Sequence, residues 1–436
     1  MVQYDYKILI YGNYTFQKNL EADSLVEVLR RVIPFVSKLR KIHWTILIPE
    51  EVKSLQFDNV DQKIYRFPNF PNLMRQHFDT WEFLEHLNWR HTDFDIVYSH
   101  LPEHTNQLSN IFHNYTNINA EFIGYSHWFE TQHNSERFGF GKGYPISSFM
   151  SAMNGILHMK ECGVNSKWLK DLVIEEASQY FNQKVLDDLD KKIQPHYLGV
   201  DRIDIRKTYS PKSVIFNHRG NDYTGWKWFC DIMDEVWKER QDFKVYTTLV
   251  EIDKEWNEHI NTESRDEYMN TLKNMKFGVG CFRNYSAWSI STTDGFSVGV
   301  PYLVPTELCY EEMINDKDYP YFYENYNKED FKKRFNEMLD ADELYSTTKI
   351  AEKMKWDNQL KGWFNNWDIF DNLRQIKETK TTEKLAEFIR TEGKTNKTEI
   401  MKFTKWGPLV KFNGYRNSLR EYKGIKFTKD GYEWIG

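Results

Sequence analysis

Apolar residues in this chain come in short runs bounded by polar loops, and between the runs they fall at helical spacing. Residues 6–11 (YKILIY) read as a buried strand, followed by a polar loop at 12–18. A helix is predicted from about 20 to 39, with Leu25, Val28, Leu29 and Val32 on one face and Pro34 as a point of kinking or splitting. Residues 42–48 (IHWTILI) and 64–67 (IYRF) are the next strands, and a helix covers 73–87. Residues 94–98 (FDIVY) and 121–125 (EFIGY) are two more strands, each running into a polar loop that contains histidine. A second series has strands at 213–217, 244–248, 277–281 and 301–304. Helices are predicted at 226–239 and 265–275, with a short one inside 291–298. This βαβ rhythm, given twice, predicts an α/β chain with two doubly wound parallel sheets. The polar stretch 377–384 (KETKTTEK) reads as a linker.

Length agrees, since 436 residues exceed one ordinary core. With 40% apolar and 28% charged residues the chain can bury a core, and mean hydropathy is -0.71. No apolar run approaches the roughly 20 residues of a membrane helix, and the opening lacks the basic-then-apolar order of a signal peptide. Cys162, Cys230, Cys281 and Cys309 are widely spaced, which argues against a disulfide framework or zinc site and for a reducing cytoplasm. Charge is uneven. From Lys394 onward ten Lys and Arg face four carboxylates, so this stretch carries +6 and residues 1–393 carry -12. An acidic body with a basic tail suits a tail that meets a polyanion, although a solvated basic helix gives the same count.

Three constellations carry chemistry. His127 follows the strand EFIGY, where a side chain can enter a cleft beyond the strand ends; His100 and His104 stand similarly after FDIVY. Asn217-His-Arg219-Gly and Thr224-Gly-Trp-Lys227 lie between a strand and a helix, a junction suited to an anion. Asp294 lies near the start of a very short helix ending at Gly299-Val-Pro301, where its carboxylate suits two ribose hydroxyls or a plain cap.

In this order the motifs resemble the retaining GT-B glycosyltransferases, family 4-like. The carriers are the strand–Gly loop–helix at 8–25, His127, the Pro195-His-Tyr-Leu-Gly199-Val-Asp201 linker, and Arg219 with a downstream Lys and the Gly-x-Pro helix end. The family's paired acids are incomplete: the second falls on Asp294, the first on Ser286. Its Lys-Gly pair is replaced by Thr224-Gly225. The resemblance implies a nucleotide-sugar donor, a UDP-sugar, held by Gly12, Asn13, Arg219, Lys227, Ser286, Thr292, Thr293 and Asp294. His127 and Asp294 are the expected catalytic residues, with no metal or other cofactor required. The expected domains are 1–195 on the acceptor side, 196–345 for the nucleotide sugar, 346–376 crossing back, and 377–436.

The last segment reads as helices at 385–390, 397–403 and 411–422, then a hairpin about Lys429-Asp430-Gly431. That pattern looks like a small winged-helix domain, with Lys405, Lys411, Arg416, Arg420, Lys426 and Lys429 expected on double-stranded DNA. The combination resembles phage enzymes that glycosylate hydroxymethylated pyrimidines in DNA, and implies the cytoplasm of an infected host with no membrane partner. A transferase for a polysaccharide or lipid-linked acceptor, or an inactive body serving as a DNA-binding protein, are the alternatives.

Overall fold

A computed structural model describes residues 6–12, 14, 24–49, 55–65, 78–86, 94–115, 120–131, 146–282 and 285–363, with short pieces at 386, 389–391, 394–395, 425–428 and 431–434. Two compact units divide the chain, Met1–Trp363 and Phe364–Gly436.

The first unit holds two parallel sheets. Strands β1 (Tyr6–Tyr11), β2 (Ile42–Pro49), β3 (Val60–Tyr65), β4 (Ile96–Ser99), β5 (Glu121–Ser126), β6 (Glu161–Val164) and β7 (Ile193–Pro195) pair in the order β3-β2-β1-β4-β5-β6-β7. Ile8 of β1 lies opposite Trp44 on one side and Ile96 on the other, so β1 is central, and all but one of its residues are buried. Such continuous apolar runs are what a strand covered on both faces requires. Helices α1 (Ser24–Leu39), α2 (Thr80–His86), α3 (Pro102–Tyr115), α4 (Ile146–His158), α5 (Lys167–Ala177) and α6 (Gln183–Lys192) accompany this sheet. Leu25, Val28, Leu29 and Val32 are buried as their spacing predicts. Pro34 does not split α1: it stands on the exposed face and the helix runs on to Leu39.

The second sheet repeats the plan. Strands β8 (Ser213–Phe216), β9 (Lys244–Thr247), β10 (Asn257–His259), β11 (Phe277–Val279), β12 (Tyr302–Pro305) and β13 (Phe322–Tyr323) pair in the order β10-β9-β8-β11-β12-β13. Helices α7 (Trp226–Glu239), α8 (Arg265–Lys273), α9 (Ile290–Ser297), α10 (Tyr310–Ile314) and α11 (Lys328–Asp340) belong to it. Phe216, Phe229, Trp256, Phe331 and Phe335 form the centre of one apolar cluster, each essentially without exposure. Each such ring contributes about 1.5–3 kcal/mol on burial. In both halves a lysine crosses to the carboxyl end of a helix. Lys192 Nζ donates to the carbonyls of Leu157 and Met159 after α4, and Lys276 Nζ to Leu339 (2.9 Å) and Ala341 (2.7 Å) after α11.

The chain crosses between the halves twice, and the crossings are joined. Val200 bridges Lys355 in parallel: its N–H donates to Met354 O (2.8 Å), and Trp356 N–H donates to Val200 O (3.2 Å). The glycine of the linker is required there, because a Cβ on Gly199 would lie 2.7 Å from Trp356. Helices α12 (Thr348–Lys353) and α13 (Trp356–Trp363) complete the return.

In the second unit, β15 (Ile425–Thr428) and β16 (Gly431–Trp434) pair antiparallel with Thr428 opposite Gly431, the register expected of the predicted hairpin. β14 (Lys394–Thr395) adds to the other side of β16, giving the order β14-β16-β15. The helices predicted at 397–403 and 411–422 lie outside the described residues, as do Asn13, Lys405, Lys411, Arg416, Arg420 and Lys429. Lys426 is on β15. Among the described residues no helix is long and apolar enough to cross a membrane.

Candidate functional site

In open parallel sheets the strand order reverses at one point, and the crevice beyond the carboxyl ends there is where ligands bind. In the first sheet that point lies between β1 and β4, and in the second between β8 and β11.

At the first, His100 follows β4 directly and its N–H donates to Tyr11 O (2.9 Å). Its ring is buried between Tyr98 (4.6 Å) and Tyr125 (5.8 Å), and neither ring nitrogen has a hydrogen-bond partner among the described residues. Burial, then the neighbouring His127, holds it well below the usual histidine range, so it is neutral. His127 follows β5 as the sequence predicts and packs edge-on to Tyr125 at 5.0 Å. His104 is turned into the core, its Nδ1 2.9 Å from the Tyr11 hydroxyl. Gly12 follows β1 directly. The Tyr14 ring fills the space that its missing Cβ leaves, 2.5 Å from where that atom would be, and Tyr14 Oη donates to Leu47 O at 2.7 Å.

The second switch point is densely bonded. Asn217 Nδ2 donates to Tyr268 Oη (2.8 Å) and Ser291 O (3.1 Å), while its Oδ1 accepts from Tyr302 Oη (3.1 Å). His218 Nε2 lies 3.0 Å from Val279 O, and burial pushes this imidazole down to about 4 against the pull of that carbonyl. Arg219 is exposed just beyond, and no hydrogen bond or ion pair engages its guanidinium among the described residues. Thr224, at the position of the family lysine, is buried with its hydroxyl near Arg219 O (2.8 Å) and Asn221 O (2.7 Å), where it shapes the loop. Lys227 stands exposed on α7, paired with Asp222 at 2.8 Å.

Helix α9 is capped by Ser289, whose Oγ accepts from Thr292 N–H (3.3 Å) and lies 2.8 Å from Thr292 Oγ1. Thr293 uses its amide on Ser289 O and its hydroxyl on Ile290 O. Both threonines expected to meet the donor therefore spend their polar groups inside the helix. The open amides of the first turn are those of Ile290 and Ser291. Ser286 is buried with its Oγ 3.5 Å from Cys309 Sγ, so it does not replace the missing acid on the cleft wall.

Asp294 is not the cap but lies a turn further in, almost fully buried, and its carboxylate is occupied. Arg265, first residue of α8, donates Nη1 to Oδ2 (2.7 Å) and Nη2 to Oδ1 (2.5 Å). Burial raises the Asp294 carboxyl above its ordinary range, and the Arg265 fork opposes that shift. Arg265 also lies over the Tyr268 ring at 5.4 Å, and its side chain is 60% exposed against 7% for Asp294. The carboxylate is thus covered by a guanidinium that keeps three of its five N–H groups for other acceptors. The sequence marks the start of α8 through Ser264, whose Oγ accepts from Glu267 N–H. Nothing in it pairs Arg265 with a residue 29 positions on. Beside the joined crossings a cleft of ≈ 430 Å³ is lined by Arg31, Asp201, Lys355, Trp356 and Asp357, with Arg31 forked onto Asp201.

No protein-family profile and no curated protein matches this sequence. Solved structures do match the fold. Sucrose-phosphate synthase from Thermosynechococcus elongatus superposes with a TM-score of 0.65 at 8% identity, over 84% of this chain and 100% of that one. Anabaena Alr3699/HepE in complex with UDP and glucose gives 0.55 at 10% identity, over 86% and 99%. The E. coli trehalose-6-phosphate structure bound with UDP-2-fluoro glucose gives 0.56 at 10% identity, over 85% and 99%. The chain has the two-sheet α/β fold of these GT-B glycosyltransferase structures.

Proposed function

We propose that the chain is a glycosyltransferase that takes a sugar from a UDP-sugar. The observation that carries this reading is the fold match over more than four-fifths of the chain to structures holding UDP or a UDP-sugar, together with two polar switch points in one unit. Arg219 and the open amides of Ile290 and Ser291 hold the diphosphate and offset the charge that grows on the leaving nucleotide. Asp294, through the Arg265 fork, serves the ribose end. His127 meets the sugar from the other sheet. The acceptor we propose is the hydroxyl of a hydroxymethylated pyrimidine in duplex DNA. The basic stretch from Lys394 supports it.

The test is UDP-sugar turnover with and without hydroxymethylated duplex DNA. Stimulation by that DNA and not by unmodified DNA is expected; transfer to a saccharide with no salt-dependent DNA binding would move the acceptor to a polysaccharide. Within the donor site, Arg219→Ala should weaken UDP binding at least about tenfold, since a charge-assisted phosphate bond contributes ~1.5–3 kcal/mol. Unchanged calorimetric affinity would remove Arg219 from the site.

A further inference from the structure

Glu312 belongs to α10, beside the second sheet, yet its carboxylate is spent on the first. Its Oε2 accepts from Lys167 N–H and its Oε1 from Trp168 N–H, both at 2.7 Å. These are the first two amides of α5, which a helix leaves without internal partners, and a negative charge is favoured there by the helix dipole. The next open amide, that of Leu169, is taken by the N-cap Ser166 Oγ at 3.0 Å. The start of α5 is therefore closed jointly by its own serine and by a carboxylate from the other half of the unit.

What precedes Ser166 gives this contact its consequence. Ser126 and Val164 are register partners on β5 and β6, so His127 and Asn165 leave adjacent strand ends together. Asn165 is buried and its Nδ2 donates to the His127 carbonyl at 3.2 Å. A short covalent and hydrogen-bonded path runs from Glu312 through Lys167, Ser166 and Asn165 to the backbone of His127. On the same side the Trp168 ring meets the Tyr285 ring edge-on at 5.4 Å, and Tyr285 adjoins Ser286 and the loop that enters α9. Burial raises the Glu312 carboxyl above its ordinary range, with the amides of Trp168 and Lys167 and the Tyr197 hydroxyl opposing. A surface decoration would not be desolvated in this way.

We infer that Glu312 is a positioning residue: it docks the donor half onto the start of α5 and thereby fixes His127 against the α9 loop. This rests on the transferase reading for its consequence in turnover, but not for its geometry. Geometric misplacement of His127 lowers turnover without touching UDP binding, because the proposed contacts to the diphosphate and ribose all belong to the second sheet and His127 meets only the sugar.

The experiment compares the full chain with Glu312→Gln, which keeps size and one acceptor oxygen, and with Glu312→Ala. Amide exchange at Lys167, Trp168 and His127 is followed alongside UDP affinity and UDP-glucose hydrolysis. In Glu312→Gln, exchange at all three amides should accelerate at least about tenfold. UDP affinity and the KM for UDP-glucose should stay within about twofold, and kcat should fall at least about fivefold. Glu312→Ala should go further in the same direction. Should Glu312→Ala fail to fold, Glu312→Gln decides. Release of Lys167 and Trp168 with His127 still protected, or with kcat intact, would overturn the inference. A parent chain that neither binds UDP nor hydrolyses UDP-glucose would sink the transferase reading alone, and exchange at His127 would still decide whether Glu312 positions it.

Discussion

His100 and His218 each stand just past a strand that borders the switch point of its sheet, β4 in the first and β8 in the second, and each is buried and neutral. They differ in what their nitrogens meet. His218 has Val279 O at 3.0 Å, inside a second switch point where Asn217, Tyr268, Tyr302 and Ser291 also satisfy one another. His100 has no ring partner among the described residues. A buried unsatisfied polar group costs about 1–3 kcal/mol, and a fold retains that cost where a ligand or ordered water completes the bond. The contrast lies in the two rings: the protein itself satisfies that of His218, while that of His100 still has polar atoms to satisfy.

The largest test of this contrast is pH dependence at His218. The unfolded imidazole takes a proton near the ordinary value of about 6.5, whereas the folded one waits until about 4. The unfolded state therefore binds more protons in that window, and stability falls as pH drops through it, by up to about 3 kcal/mol. His218→Phe should remove much of that slope while costing about 1–2 kcal/mol at pH 7 through the abandoned Val279 carbonyl. Denaturant titrations from pH 7 to 4 check both. An unchanged slope would mean His218 is not neutral in the fold.

Arg265→Ala comes next, expected to lose about 2 kcal/mol at pH 7 by leaving the Asp294 carboxylate buried and unmatched; exposure of the arginine keeps the figure below that of a deep pair. Its pH dependence has the opposite sign. A carboxyl raised in the folded state binds more protons folded than unfolded, so the variant should regain stability as pH falls from above that raised value toward about 4. Loss of stability at low pH instead would contradict the buried carboxylate.

His100→Phe should change stability by no more than about 1 kcal/mol, with a gain as the expected sign, and should lower UDP-sugar turnover at least about tenfold. Destabilisation by more than about 2 kcal/mol with turnover preserved would make His100 a core residue like His218 and erase the contrast. The smallest effect is at Lys227, whose exposed pair with Asp222 is worth little. Lys227→Ala should alter the melting temperature and UDP affinity barely, within about 0.5 kcal/mol and twofold. A tenfold loss of UDP affinity would place it in the donor site.

Much of the site was legible as position and little of it as partnership. His127, Arg219 and Asp294 each emerge near a strand end or helix start, because apolar runs and their polar boundaries mark those places locally. Strands β8, β9, β11 and β12 were read to within about two residues for the same reason, whereas the short β10 and β13 were not read. Helix α3 and the 146–195 region with its helices and strands β6 and β7 were not read. Their apolar positions are interleaved with polar ones, as in PEHTNQLSNIFHNY, so the helical period is weak.

The sequence by itself determined the alternation of strands and helices, the acidic body with its basic tail, and the hairpin about Lys429-Asp430-Gly431, since all three depend on near neighbours and counting. Only the tertiary structure decided that Arg265 covers Asp294, that Tyr14 fills the space over Gly12, that Ser286 turns toward Cys309, and that Glu312 reaches α5. The physical reason is one of range. A period or a turn is written in adjacent residues, whereas the partner of a buried polar group is chosen by whichever distant segment packing brings within about 3 Å, and an unmatched group costs too much to leave there.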